Sequence, residues 1–204
     1  MKKYLDKSMT FSEYVSLLDR LLAENKTTGP NQSESYVQYG RLNRQRMSRL
    51  EKTLVLNDEV RAVVAGNTRP QIWLTLTEGW CGDAAQNIPV IEKVAAASEL
   101  IETRYILRDE NLELMDQFLS STGARAIPRL IGLDADTLDV LFSWGSRPAG
   151  AQEIFNERKA DGVPHSAITE ELQRWYNADH GLSAQRELAA LVAAAQKTTA
   201  AATT

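Results

Sequence analysis

Sulfur is the scarcest chemistry in this chain. Of 204 residues only Cys81 is a cysteine, so an internal disulfide is excluded, and a lone thiol suits a reducing compartment. Histidine is nearly as rare: His165 and His180 stand 15 residues apart without clustered carboxylates, and no metal site is expected. No segment approaches the roughly 18 consecutive apolar residues that span a bilayer. Lys2 and Lys3 open the chain as in a secretory leader, but Asp6, Lys7, Ser8, Ser12 and Glu13 interrupt the apolar stretch such a leader needs. A soluble, cytoplasmic protein is expected. Glycine-rich phosphate loops are missing too, and no cofactor is expected. The net charge of −4 opposes any general attraction to phosphate backbones or anionic lipid, so neither nucleic acid nor membrane is an expected partner.

What is present is apolar patterning sufficient for one sizeable core, with 43% of residues hydrophobic. Phe11, Tyr14, Val15, Leu18, Leu21 and Leu22 recur at helical spacing behind the candidate caps Thr10 and Ser12. Gly29 and Pro30 break that pattern. A long second helix is expected over 33–64, carrying Arg41, Arg44, Arg46, Arg49 and Lys52 around an apolar side; this basic series reads as a solvated face. Beyond Pro70 strands and helices alternate, the pattern of an open α/β sheet. Strands are expected over 72–77, 101–107, 127–133 and 138–144, and helices over 81–97, 111–121 and 149–160. Asp134 to Thr137 form a short turn that makes the last two strands an antiparallel hairpin. Trp73 and Trp144 fall inside strands and are expected in the core. Further helical spacing follows through Trp175 and Leu191, and a low-complexity end from Ala194 is expected to fray.

Cys81 lies where the first strand gives way to a helix, within Trp80-Cys81-Gly82-Asp83-Ala84. Unpaired N–H groups and the positive dipole end of a helix favour a thiolate there, whereas Asp83 opposes it; a modest depression of the thiol pKa is the expected balance. Other chemistries lack their parts. His165-Ser166 comes without a nucleophile elbow, and Glu78 stands where a peroxiredoxin-type site wants threonine.

The β-α-β-α-β-β order, Trp80-Cys81-Gly82 opening the first helix and Ile127-Pro128 opening the third strand together resemble the thioredoxin family. Pro89 stands eight residues after the cysteine, where that family kinks its helix, and Gly123 to Pro128 look like the family's Gly-x-Arg-x-Ile-Pro segment. Gly145 follows the last strand, as a glycine does there in thioredoxins. The likeness covers about 71–160, and more narrowly resembles a bacterial branch that reads Trp-Cys-Gly-Asp-Ala. It implies a thioredoxin-like α/β fold with a central mixed sheet (β-α-β-α-β-β-α), preceded by a helical arm over 1–69 and followed by helices over 161–204, the domain proper being 70–160. It also implies that Pro128 is cis and lies against the sulfur, that the Ile127 backbone is free to pair with substrate, and that Trp80, Gly82 and Asp83 contribute to a substrate surface around a catalytic Cys81.

Two departures shape the function expected. Ala84 replaces the resolving cysteine, and Thr75 replaces the buried aspartate that assists resolution, so two-cysteine disulfide reduction is excluded. One remaining reading is a monothiol oxidoreductase: Cys81 attacks a protein disulfide or a glutathionylated protein, and a low-molecular-weight thiol such as glutathione or bacillithiol releases the product. The other is a redox-inactive binding or adaptor module in which the loop survives as a recognition surface and the arm binds a partner. A homodimer through the arm is a further expected possibility.

Overall fold

Gln71–Thr77 forms the first strand because its β-branched and aromatic residues are buried on both faces, leaving Ile72 alone half-covered. In chain order the computed structural model, which describes residues 1–200 with side chains through residue 196, has α1 (Lys2–Leu5), α2 (Phe11–Ala23), α3 (Glu34–Thr53) and α4 (Asp58–Ala65) ahead of that strand, β1. Then come α5 (Gly82–Ala95), β2 (Ile101–Leu107), α6 (Leu112–Met115), β3 (Arg129–Asp134) and β4 (Val140–Gly145). Helices α7 (Ala149–Ala160), α8 (His165–Asp179) and α9 (Leu182–Ala200) complete the described chain. The sheet order is β2-β1-β3-β4, with β1 and β2 parallel and both later pairings antiparallel. This is the mixed sheet of a thioredoxin-like fold with added helices.

The helices before β1 pack tightly on the sheet. Met9 pairs with Tyr105 as an antiparallel bridge, which covers the outer edge of β2. Behind it, the Tyr14 ring stacks on Tyr105 at 5.5 Å. One apolar cluster joins Tyr14, Leu18 and Met47 to Leu74, Leu76 and Ile88; a second joins α4 and α9 to Trp73, Ile91 and Trp144. A third, smaller cluster holds α7 against α8 through Ala151, Ile168 and Leu172.

The expected helix over 33–64 is in fact two. Leu54 turns into extended backbone, and Asn57 starts α4 by accepting from the Glu59 and Val60 N–H groups. The residues between are held by Gln185 of α9, which accepts from Asn57 N–H at 2.9 Å and donates to the Val55 carbonyl at 3.1 Å. Over 111–121 only α6 is helical; beyond it the chain continues in turns, with Ser120 Oγ accepting from the Ala124 N–H. The third strand begins at Arg129 because Pro128 has no N–H to give a ladder. Residues 194–200, expected to fray, continue α9, while 201–204 lie outside the described residues. No helix of the described residues is long and apolar enough to cross a membrane.

Candidate functional site

Cys81 is the N-cap of α5. The helix starts there because the chain leaves β1 through Glu78, Gly79 and Trp80, and the Cys81 N–H bonds back to the Glu78 carbonyl at 3.1 Å. Pro89 sits inside α5, whose interior residues from Ala84 to Ile91 are all buried. Opposite the sulfur runs the segment into β3, with the Ile127–Pro128 peptide cis. Gly145 faces that segment in register with Arg129 and has φ +116, and any side chain on it would collide with the Pro128 carbonyl.

The sulfur is the floor of a cleft of about 440 Å³. Only 9% of Cys81 remains exposed, and its Sγ donates to the Ile127 carbonyl at 3.3 Å. The thiol is pushed up to about 12, first by burial and then by the charge of Asp83; the Ala84 and Asp83 N–H groups and Arg147 pull the other way and lose. The modest depression expected from the helix start is therefore reversed, because desolvation of a largely buried sulfur outweighs the helix-end N–H groups.

Asp83 is not an open surface anion. Its carboxylate pairs with Arg147 at 2.7 Å and accepts from the Tyr176 hydroxyl at 2.8 Å. Asn87 ties the same group together, donating to the Asp83 carbonyl, the Ser146 carbonyl and the Tyr176 hydroxyl. This network fastens α5 to the loop after β4 and to α8. Burial raises the Asp83 pKa above the ordinary carboxylate range, while Arg147 and Tyr176 work against that rise.

Of the residues singled out from sequence, Trp80, Cys81, Gly82, Asp83 and Ile127 come together around the cleft. Pro128 is not among the residues lining it, and the Pro128 carbonyl is turned toward Gly145. Trp80 has Tyr36 packed against it at 5.3 Å, and the Arg108 guanidinium lies over its ring at 5.0 Å, so part of its surface is already taken. Thr75 is fully buried with its hydroxyl unpartnered. His165 begins α8 and reaches the cleft rim, whereas His180 takes a left-handed conformation after α8. Among the described residues no group of acidic, histidine and cysteine side chains is placed to hold a metal.

Several cleft residues were not marked as site residues by the sequence. Arg46 comes from α3, and Leu172, Gln173 and Tyr176 from α8. Their helical spacing was readable; their convergence on Cys81 required the packing of elements far apart in sequence.

A family model described as Thioredoxin matches residues 29–161. Among solved structures, the chain resembles a protein of unknown function from Pseudomonas aeruginosa, at 17% identity over 93% of this chain and 94% of that one, with a TM-score of 0.60. It likewise resembles an HIV epitope-scaffold at 16% identity, covering 94% of this chain and 96% of that one, with a TM-score of 0.60. These likenesses show a shared fold. No curated protein matches the chain.

Proposed function

The chain belongs to the thioredoxin family, and on that footing we propose that it uses the family's site as a binding cleft, with Cys81 resting as a protonated thiol. The observation that carries this reading is the state of the sulfur: 9% exposed, donating to the Ile127 carbonyl and pushed up to about 12. A thiol raised this far is almost wholly protonated at pH 7, and the thiolate is the nucleophile. Ala84 in place of a second cysteine agrees with this, since no resolving step is available within the chain. The test is the pH dependence of Cys81 alkylation by iodoacetamide. Slow modification that keeps rising beyond pH 10 is expected; a rate that levels off near pH 7 overturns the reading.

A second reading is favoured by one feature, that the sulfur does line the cleft and has the Asp83 and Ala84 N–H groups directed at it. In a monothiol cycle the Cys81 thiol gives up its proton and its sulfur bonds to one sulfur of a disulfide, while the other leaves as a thiolate. A low-molecular-weight thiol then attacks the mixed disulfide and restores Cys81. Incubation with glutathione disulfide, followed by intact mass measurement, separates the two. The binding reading expects no adduct at neutral pH, and rapid, reversible adduct formation establishes the monothiol cycle instead.

A further inference from the structure

The basic face of α3 does not run entirely over solvent. Arg46 is half-buried at the cleft rim, its Nη1 3.8 Å from where a Cβ on Gly82 would lie. The same Nη1 donates to Asn43 Oδ1 at 2.9 Å, and Asn43, buried itself, donates to the Gly79 carbonyl at 3.1 Å. Those two bonds fix the guanidinium beside the start of α5. The other three arginines of the cleft each hold an aspartate: Arg108 with Asp109, Arg125 with Asp116 and Arg147 with Asp83. Arg46 pairs with no carboxylate among the described residues, and the like charge of Arg49 adds to the cost of its burial. A cation taken partly out of water without a counter-ion is costly, and a cleft that keeps one is incomplete until an anion enters.

Arg147 spends its terminal nitrogens on Asp83, Ser146 and Gln152, yet its Nε is buried with no hydrogen-bond partner. Four arginines around one cleft stand out in a chain of net charge −4, and among the described residues Asp83 is the only acidic one lining that cleft. The apolar part of the lining includes Tyr36, Tyr39 and Leu172 beside Trp80 and Ile127, and Tyr39 keeps half its surface exposed. A volume of about 440 Å³ falls within the range of small-molecule sites, roughly 300–1,000 Å³.

We propose that the cleft binds a small organic anion, a carboxylate or phosphate head set on Arg46 with an apolar body laid against Tyr36, Tyr39 and Leu172. This gives the binding reading its ligand class and rests on it. Arg46 supplies the charge-assisted bonds, and the planar guanidinium matches either head in a two-point contact.

The test is isothermal titration of the full chain with 3-phenylpropionate, with phenyl phosphate and with neutral 3-phenylpropanamide. Saturable binding of at least one anion at millimolar concentration or below is expected, with the preferred anion showing which head group fits. The amide should bind about ten-fold more weakly or not at all, and added salt should weaken the anion. Arg46→Met should lower anion affinity about ten-fold or more with an unchanged or raised unfolding midpoint, whereas Arg41→Met, an arginine outside the cleft, should leave affinity as it is. Amide binding as tight as the anions, no binding of either anion, or full affinity in Arg46→Met would each overturn the proposal. The amide comparison uses the unaltered protein and decides the matter even where a variant folds poorly. Cys81 alkylation and anion binding are separate readouts of the unaltered protein. A fast-reacting Cys81 alongside intact anion binding would therefore sink the inert-thiol reading alone, and a sluggish Cys81 without anion binding would sink this proposal alone.

Discussion

Glu78 is completely buried three residues before the site cysteine, with one carboxyl oxygen accepting the Asp109 N–H at 2.8 Å and the other without a partner. Burial raises its pKa to about 7; the Thr28 hydroxyl and the Asp109 N–H, which favour the charged form, offset this only in part. The folded state therefore holds a proton that the unfolded chain, near 4.5, has already released. Stability from this group is fully present below about pH 4.5 and is lost as pH rises through about 7, a change of order 3 kcal/mol. Glu78→Gln keeps an acceptor for Asp109 and removes the titration. Urea titrations at a series of pH values should show wild type losing stability relative to Glu78→Gln between pH 4.5 and 7, and parallel curves would refute the assignment. Asp83 permits a companion prediction at the sulfur. Its charge is the second cause of the raised thiol, after burial, and Asp83→Asn also frees Arg147, so both changes should bring the Cys81 titration down. Alkylation at fixed pH should become several-fold faster, and an unchanged rate would mean that burial alone sets the thiol.

Among the elements, local chemistry and distant packing can be told apart by what each helix end rests on. The start of α2 is local: Thr10 Oγ1 accepts from the Glu13 N–H at 3.3 Å and Glu13 accepts from the Thr10 N–H at 2.8 Å, a reciprocal cap within four residues. Thr10→Ala should cost about 1 kcal/mol, read from the urea midpoint. Such a cap is legible in sequence, as were β1, the parallel β2, the Asp134–Thr137 turn and the position of Cys81, because each depends on neighbours along the chain. The break between α3 and α4 is different. Nothing from Leu54 to Asn57 forbids a helix; Gln185, 128 residues away, supplies the bonds that extended backbone there requires. The cleft divides along the same line. Its floor, Trp80 to Asp83 with Ile127, was readable from motif and spacing, whereas its rim depends on α3 and α8 arriving at the same place, with Tyr176 bonding to a carboxylate 93 residues distant. Gln185→Leu preserves the size and burial of the side chain but orphans the Asn57 N–H and the Val55 carbonyl. A loss of about 1–3 kcal/mol is expected, accompanied by faster hydrogen exchange at Asn57, and exchange unchanged at that amide would show that the break is set locally after all.

At the scale of the whole molecule, the two ends of the chain share a core. Leu54, Leu56, Val60 and Val64 from before the sheet and Ala184, Leu188, Ala189 and Val192 from the last helix enclose Trp73 and Trp144 between them. Trp144 is further tied to α9, its indole N–H donating to Glu187 at 2.6 Å, and the other Glu187 oxygen accepts the first N–H of α7. Helices before and after the sheet are thus mutually dependent layers, and their loss should propagate to β1 and β4. Leu188 is fully buried at the centre of this contact. Truncating it to alanine removes packing on α4, α5 and the sheet at once, a change that typically costs about 2–5 kcal/mol. If the chain is one cooperative unit, Leu188→Ala will shift unfolding to lower denaturant as a single transition, with helical circular dichroism and tryptophan fluorescence falling together. Helical signal lost well before the fluorescence of Trp73 and Trp144 would show instead that the terminal helices unfold on their own and that the sheet stands without them.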